Sequence, residues 1–169
     1  MNTRSVPVLI VSTVLLGLSL STASRAEAPS TEAANKAVVR KFEDEFKNKA
    51  NHAIVDEVMA PAFQGRGFGP APLDREGLKQ LGKMVAGAFP DVHTTIESIV
   101  AEGDLVVTRV AVTGTHKGAF NGVPATGKKI QFTEMHMYQV KGGKISALWS
   151  NVDLLAILTQ IGAVPAPRK

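Results

Sequence analysis

The chain has 169 residues, no cysteine, and 19 lysines and arginines against 15 aspartates and glutamates, a formal charge of +4. Without cysteine it has no disulfide framework, no thiol nucleophile and no cysteine for lipid attachment. Its basic residues are scattered among acidic ones, with no basic run interleaved with aromatics, which argues against a nucleic-acid partner.

The opening MNTRSVPVLIVSTVLLGLSLSTASRAEAPS combines Arg4, an apolar run from Val6 to Leu20 and small residues after it. This is the pattern of a secretory signal peptide over residues 1–28, with cleavage expected after Ala26 or Ala28. The apolar run falls short of the roughly 20 residues that cross a bilayer, so the mature chain is expected to be free of the membrane, in a periplasm or outside the cell. Cleavage after Ala26 removes Arg4 and Arg25 and lowers the formal charge of +4 by two, which makes the mature chain only mildly basic. Residues 29–169 suit one domain with its own core.

Between Ser30 and Ala50, Val38, Val39, Phe42 and Phe46 recur three or four apart among charges, which predicts an amphipathic helix. Asn51 is placed to cap a short second helix, HAIVDEVMA, that stops before Pro61. PAFQGRGFGPAPL is rich in turn formers and reads as a loop with a short strand, with Phe63 and Phe68 as possible anchors. Asp74 then caps a third helix whose stripe is Leu78, Leu81, Met84, Val85 and Phe89. Gly82 and Gly87 each weaken that helix by about 1 kcal/mol relative to alanine, so close packing is the expected reason for them.

From Pro90 the period changes. VHTTIESIVAE, LVVTRVAVTGTH, KIQFTEMHMYQV and KISALWSNV are strand-length, rich in β-branched residues and separated by glycine-containing turns. LLAILTQIGAVP closes the chain with a short helix ending at Gly162. Helices followed by a run of strands give an α+β fold with an antiparallel sheet.

A two-residue turn at Gly142-Gly143 pairs His136 with Trp149, Glu134 with Asn151 and Phe132 with Asp153. One face then holds Phe132, Glu134, His136, Tyr138, Trp149, Asn151 and Asp153, and the other holds Met135, Met137, Leu148 and Val152. Both faces carry apolar residues and need covering. The first face is expected to line a pocket over the helices, the second to meet another copy of the chain in a homodimer. A one-residue bulge would exchange these assignments. Val106, Val110, Val112 and His116 share a face of the preceding strand, which points His116 toward the same cavity.

The run from Gly114 to Gly162 resembles the SnoaL-like polyketide cyclase, or ester cyclase, group of the nuclear transport factor 2-like superfamily. The matching pattern is carried by Gly114, His116, Gly118, Phe120, Gly122, Pro124, Thr126, Gly127 and Lys128, followed by His136, Gly143 to Ile145, Trp149, Asp153 and Gln160 to Gly162. The resemblance implies a cone-shaped α+β barrel, a curved antiparallel sheet wrapped around N-terminal helices, with a mostly apolar pocket. It further implies ring closure by intramolecular aldol condensation without metal or organic cofactor, through an aspartate acid/base. Asp153 keeps the W-x-x-x-D spacing, whereas some relatives carry an acid directly after the tryptophan, where this chain has Ser150.

Aldol chemistry needs a base beside a carbon-bound proton and a donor for the enolate oxygen. Asp153, His136 and Glu134 are the candidate catalytic groups; His116, Tyr138, Trp149, Asn151 and Phe132 are candidate substrate-binding residues. Asp153 either enters the pocket or caps the last helix, and His116 either enters it or ties down a turn. His116, His136, Glu134 and Asp153 lack the spacing of a helical zinc motif, so no metal site is expected. His52 and His93 read as surface residues. The ligand expected is a small hydrophobic carbonyl compound, acted on by a cyclase, or by a hydrolase or isomerase on the same fold, or held by a carrier without turnover.

Overall fold

The structure is a computed structural model that describes residues 30–165. The expected signal peptide, residues 1–28, lies outside the described residues.

Helix α1, Thr31–Glu43, starts at Ser30, whose hydroxyl accepts from the Ala33 amide, and buries Val39 and Phe42. It runs on as one wider π-helical turn, Asp44–Asn48, which buries Phe46. Asn48 then acts as a stand-in strand partner: it accepts from the Thr94 amide at 2.7 Å and donates to the Thr94 carbonyl at 3.1 Å. Helix α2 is shorter than expected, Ile54–Val58, and has no side-chain cap. Asn51 instead donates to Glu45 Oε2 at 2.9 Å.

Met59 and Ala60, expected to be helical, begin strand β1, Met59–Arg66. β1 pairs parallel with the last strand at the edge of the sheet, which tolerates Pro61 because an edge residue need not donate to the ladder. The expected antiparallel sheet is therefore mixed. Helix α3, Arg75–Ala88, is capped by Asp74, which accepts from the Gly77 amide at 2.8 Å. Leu78 is buried and Leu81 and Val85 partly so, but Met84 is exposed rather than part of the core. Gly82 is tightly packed, since a Cβ there would lie 2.5 Å from the Phe46 ring, while one at Gly87 would meet nothing.

Strands β2 (His93–Glu102), β3 (Leu105–Thr115), β4 (Lys129–Lys141) and β5 (Lys144–Val152) form an antiparallel meander, giving a five-stranded sheet in the order β1-β5-β4-β3-β2. Gly142 and Gly143 both take positive φ, as a two-residue hairpin turn requires. Helix α4, Leu154–Ile161, returns against β4. There β5 has already ended, and Gln160 fills the open edge by accepting from the Gln131 amide at 2.7 Å and donating to its carbonyl at 2.8 Å.

The hairpin register differs from the expected one by a bulge at Ser146. Val140 pairs with Ile145, but Gln139 pairs with Ala147, so that His136 faces Ser150 and Met137 faces Trp149. The shift exchanges the faces of β5. Leu148, Ser150 and Val152 join Phe132, Glu134, His136 and Tyr138 on the inner face, and Trp149 and Asn151 join Met135 and Met137 outside. α1 packs on β2, β3 and β5, α3 on β1 and α4 on β4.

Candidate functional site

Two apolar clusters form the interior. One gathers Val39, Phe42, Phe46, Val106 and Tyr138, the other Phe89, Phe120, Ile130, Ile157 and Ile161. Between them lies a cavity of about 420 Å³, whose wall takes residues from both. Met84 and Leu154 are exposed and also border it, which places its mouth between α3 and the start of α4. Lys47, Glu134, His136, Tyr138 and Ser150 are polar residues in an otherwise largely apolar wall.

Backbone geometry brings these groups together. Period-two alternation points Glu134, His136 and Tyr138 of β4 inward. Glu43 and Lys47 sit one turn apart where α1 widens into the π turn, in line with Val39 and beside the Phe42–Phe46 stack. A π turn inside an α-helix often marks a functional position, and here it carries the one ammonium that the described residues place in the cavity wall.

Lys47 Nζ lies 2.5 Å from Glu134 Oε2, 3.2 Å from Glu43 Oε2 and 2.9 Å from His136 Nε2. His136 Nε2 is 2.8 Å from Glu134 Oε2, and the Tyr138 hydroxyl donates to Glu43 Oε1. Nε2 carries either a hydrogen or a lone pair, so in a neutral ring it donates to Glu134 or accepts from Lys47, not both. Glu134 is ionised and only accepts, so its 2.8 Å contact with Nε2 is a hydrogen bond in the tautomer that carries the hydrogen there. His136 Nδ1 is buried without a partner among the described residues, as is Ser150 Oγ.

The charges are set by opposing effects. Burial pulls the Lys47 ammonium toward neutrality, but Glu43 and Glu134 outweigh it and hold Lys47 above the ordinary lysine value. Burial likewise pushes Glu134 up, and the Lys47 charge and the His136 hydrogen bond overcome it, bringing Glu134 down to about 2. Burial and the Glu43 charge push the Tyr138 phenol well above its usual range. At neutral pH Glu134 is a carboxylate of low basicity, Lys47 a cation and Tyr138 a neutral donor. A bound metal is not suited to this cluster, because the Lys47 ammonium already occupies the point shared by Glu43, Glu134 and His136.

Phe132, Glu134, His136 and Tyr138 all line the cavity. The other expected site residues stand elsewhere. Asp153 caps α4, accepting from the Ala156 amide at 2.9 Å, and does not line the cavity. His116 is fully buried behind Phe89, with Nδ1 3.0 Å from Thr126 Oγ1, and fastens the β3–β4 connection. Trp149 and Asn151 are on the outer face. His52, expected at the surface, is partly buried in the cavity wall with its ring edge-on to Phe46, 5.2 Å between centroids.

Glu43 and Lys47 were not anticipated, nor was the inward position of Ser150, which the sequence marks only as standing where some relatives carry an acid. A signal for the first two exists in the sequence: Val39, Glu43 and Lys47 are spaced by four, so both charges continue the buried stripe instead of opposing it. Ser150 is hidden by the bulge.

The sequence profile of the SnoaL-like polyketide cyclase family matches residues 37–161. No curated protein sequence matches the chain significantly. Among solved structures the chain is similar to AclR, named as a candidate hydroxylase, from Streptomyces galilaeus, with 24% identity, TM-score 0.75, and 82% of this chain and 87% of that chain covered. It is also similar to a candidate SnoaL-like polyketide cyclase from Jannaschia sp. CCS1, with 25% identity, TM-score 0.74, and 82% and 99% covered. IdmH, a candidate polyketide cyclase from Streptomyces antibioticus, shares 31% identity at TM-score 0.67 over 76% of this chain and 98% of its own.

Proposed function

The chain belongs to the SnoaL-like polyketide cyclase family, and from that premise we propose that its cavity takes a small apolar carbonyl compound on which His136 does acid/base chemistry. The observation that carries this reading is the pairing of His136 with Glu134 in the cavity wall, with Nδ1 as the unpartnered ring nitrogen. Nε2–H held on the Glu134 carboxylate leaves the Nδ1 lone pair free to act as a base.

In an aldol closure Nδ1 takes a proton from the carbon beside a carbonyl, and the electron pair moves into an enolate. The enolate carbon attacks a second carbonyl of the same molecule, and the imidazolium returns its proton to the new alkoxide. Glu134, kept ionised by Lys47, stabilises the imidazolium between the two transfers. Lys47 remains an ammonium that holds the two carboxylates in place; a Schiff-base role would need it neutral.

The test is exchange of the α-hydrogens of simple aryl ketones in deuterated water, followed by proton NMR. The protein should speed exchange, and His136→Gln should remove about 10²–10⁴-fold of that acceleration, the usual share of a positioned base. Binding without exchange at any pH would make the protein a carrier. The pattern of Arg4, the Val6–Leu20 run and Ala26 or Ala28 supports export of this activity to a periplasm or the medium. An apolar row on the outer face, Val100, Val107, Met137 and Trp149 in register across β2 to β5, supports a homodimer through that face.

A further inference from the structure

Ser150 occupies a position that the reading above leaves without a task. It lies directly opposite His136 across the β4–β5 ladder, borders the cavity and is 3% exposed, yet its Oγ has no partner among the described residues. A buried serine on a strand can turn its hydroxyl to a nearby carbonyl; this one does not, and an unsatisfied hydroxyl is costly to keep. Its backbone is also pinned. Gly67, at φ +90°, passes so close that a Cβ there would lie 2.0 Å from the Ser150 carbonyl oxygen. The hydroxyl is thus held on a rigid strand, one cross-strand step from His136, whose Nδ1 is likewise unpartnered.

We propose that Ser150 selects and orients the ligand by donating its hydroxyl hydrogen to the ligand's carbonyl oxygen, setting the adjacent carbon against His136 Nδ1. This rests on the cavity being a site for small apolar carbonyl compounds. It makes the preferred ligand a ketone whose α-carbon carries a hydrogen, and it makes Ser150 a determinant of specificity for carbonyl over hydrocarbon. Side chains of neighbouring strands on one face stand close enough for a carbonyl oxygen and its α-hydrogen to meet both at once.

The test uses 1-tetralone and tetralin, which share a ring system and differ in the carbonyl. Their affinities are measured by calorimetry for the mature protein and for Ser150→Ala, and the carbonyl stretch of bound 1-tetralone is read by difference infrared spectroscopy. Wild type should bind the ketone more tightly than the hydrocarbon. Ser150→Ala should weaken the ketone by about tenfold, the worth of one hydrogen bond, leave tetralin within about twofold and return the stretch toward its value in an apolar solvent. Retained tetralin binding also shows that the variant is folded. Equal affinities for the two probes in wild type, or an unchanged ratio and stretch in Ser150→Ala, would overturn the role of Ser150 while leaving the cavity as a ligand site. Failure of both probes to bind wild type would remove the underlying reading, and this inference with it.

Discussion

The two faces of the β4–β5 hairpin are built from alternate residues of the same strands and yet obey different rules. On the inner face Glu134, His136, Tyr138 and Ser150 are polar and mostly buried, and the ionisable ones depend on one another and on α1 for partners. On the outer face Met135, Met137 and Trp149 are apolar and at least partly open to solvent, against the usual assignment of polar groups to the water side. The inner inversion couples the charges, because a low-dielectric wall makes each one depend on its neighbours. The outer inversion is the surface on which the proposed homodimer rests.

If that contrast is right, the largest effect comes from removing the inner cation. Lys47→Met leaves Glu43 and Glu134 buried together without a counter-charge, and should cost about 3–5 kcal/mol in urea unfolding; a following Glu134→Gln should recover part of the loss. An unchanged midpoint would mean that the ring is not energetically coupled. The pH dependence sharpens the same point. Glu134 is lowered from 4.5 to about 2, so its contribution is complete above pH 4.5 and disappears as the pH falls through about 2. That is on the order of 3 kcal/mol, to be read as acid unfolding that Glu134→Gln no longer shows. Lys47 is raised from 10.5, so its contribution is complete below that pH and fades as the pH climbs beyond it.

A smaller effect separates cap from pocket. Asp153→Ala should cost about 1 kcal/mol through the loss of the α4 cap and leave ketone affinity unchanged; a drop in affinity at equal stability would return Asp153 to the cavity. The smallest effect on the fold belongs to the outer face. Trp149→Thr should shift stability by no more than about 0.5 kcal/mol in the isolated chain, while sedimentation velocity shows the proposed dimer dissociating. A monomeric wild type would leave the outer face without that partner.

What could be read from the sequence was what short-range chemistry determines. Asp74 and Gly162 fixed helix ends because a cap acts within one turn. The four long strands followed from β-branched runs between glycines, and the inward set on β4 from simple alternation. The remainder depended on contacts distant in sequence. The short strand expected in PAFQGRGFGPAPL begins earlier, at Met59, and pairs parallel, since a proline such as Pro61 signals a break unless a neighbour leaves it at an edge. The Ser146 bulge is one residue, and it exchanged Trp149 and Asn151 for Leu148 and Ser150 in the cavity. Asp153 had two plausible tasks, and only the position of the Ala156 amide shows which one it performs.

The most direct test is a crystal structure of the protein with 1-tetralone bound. The ring is expected in the cavity between the Phe42 and Phe120 clusters, with the carbonyl at its polar wall and the α-carbon facing His136 Nδ1. A ketone bound with its carbonyl out toward Met84 and Leu154 and its hydrocarbon edge against His136 would contradict that expectation.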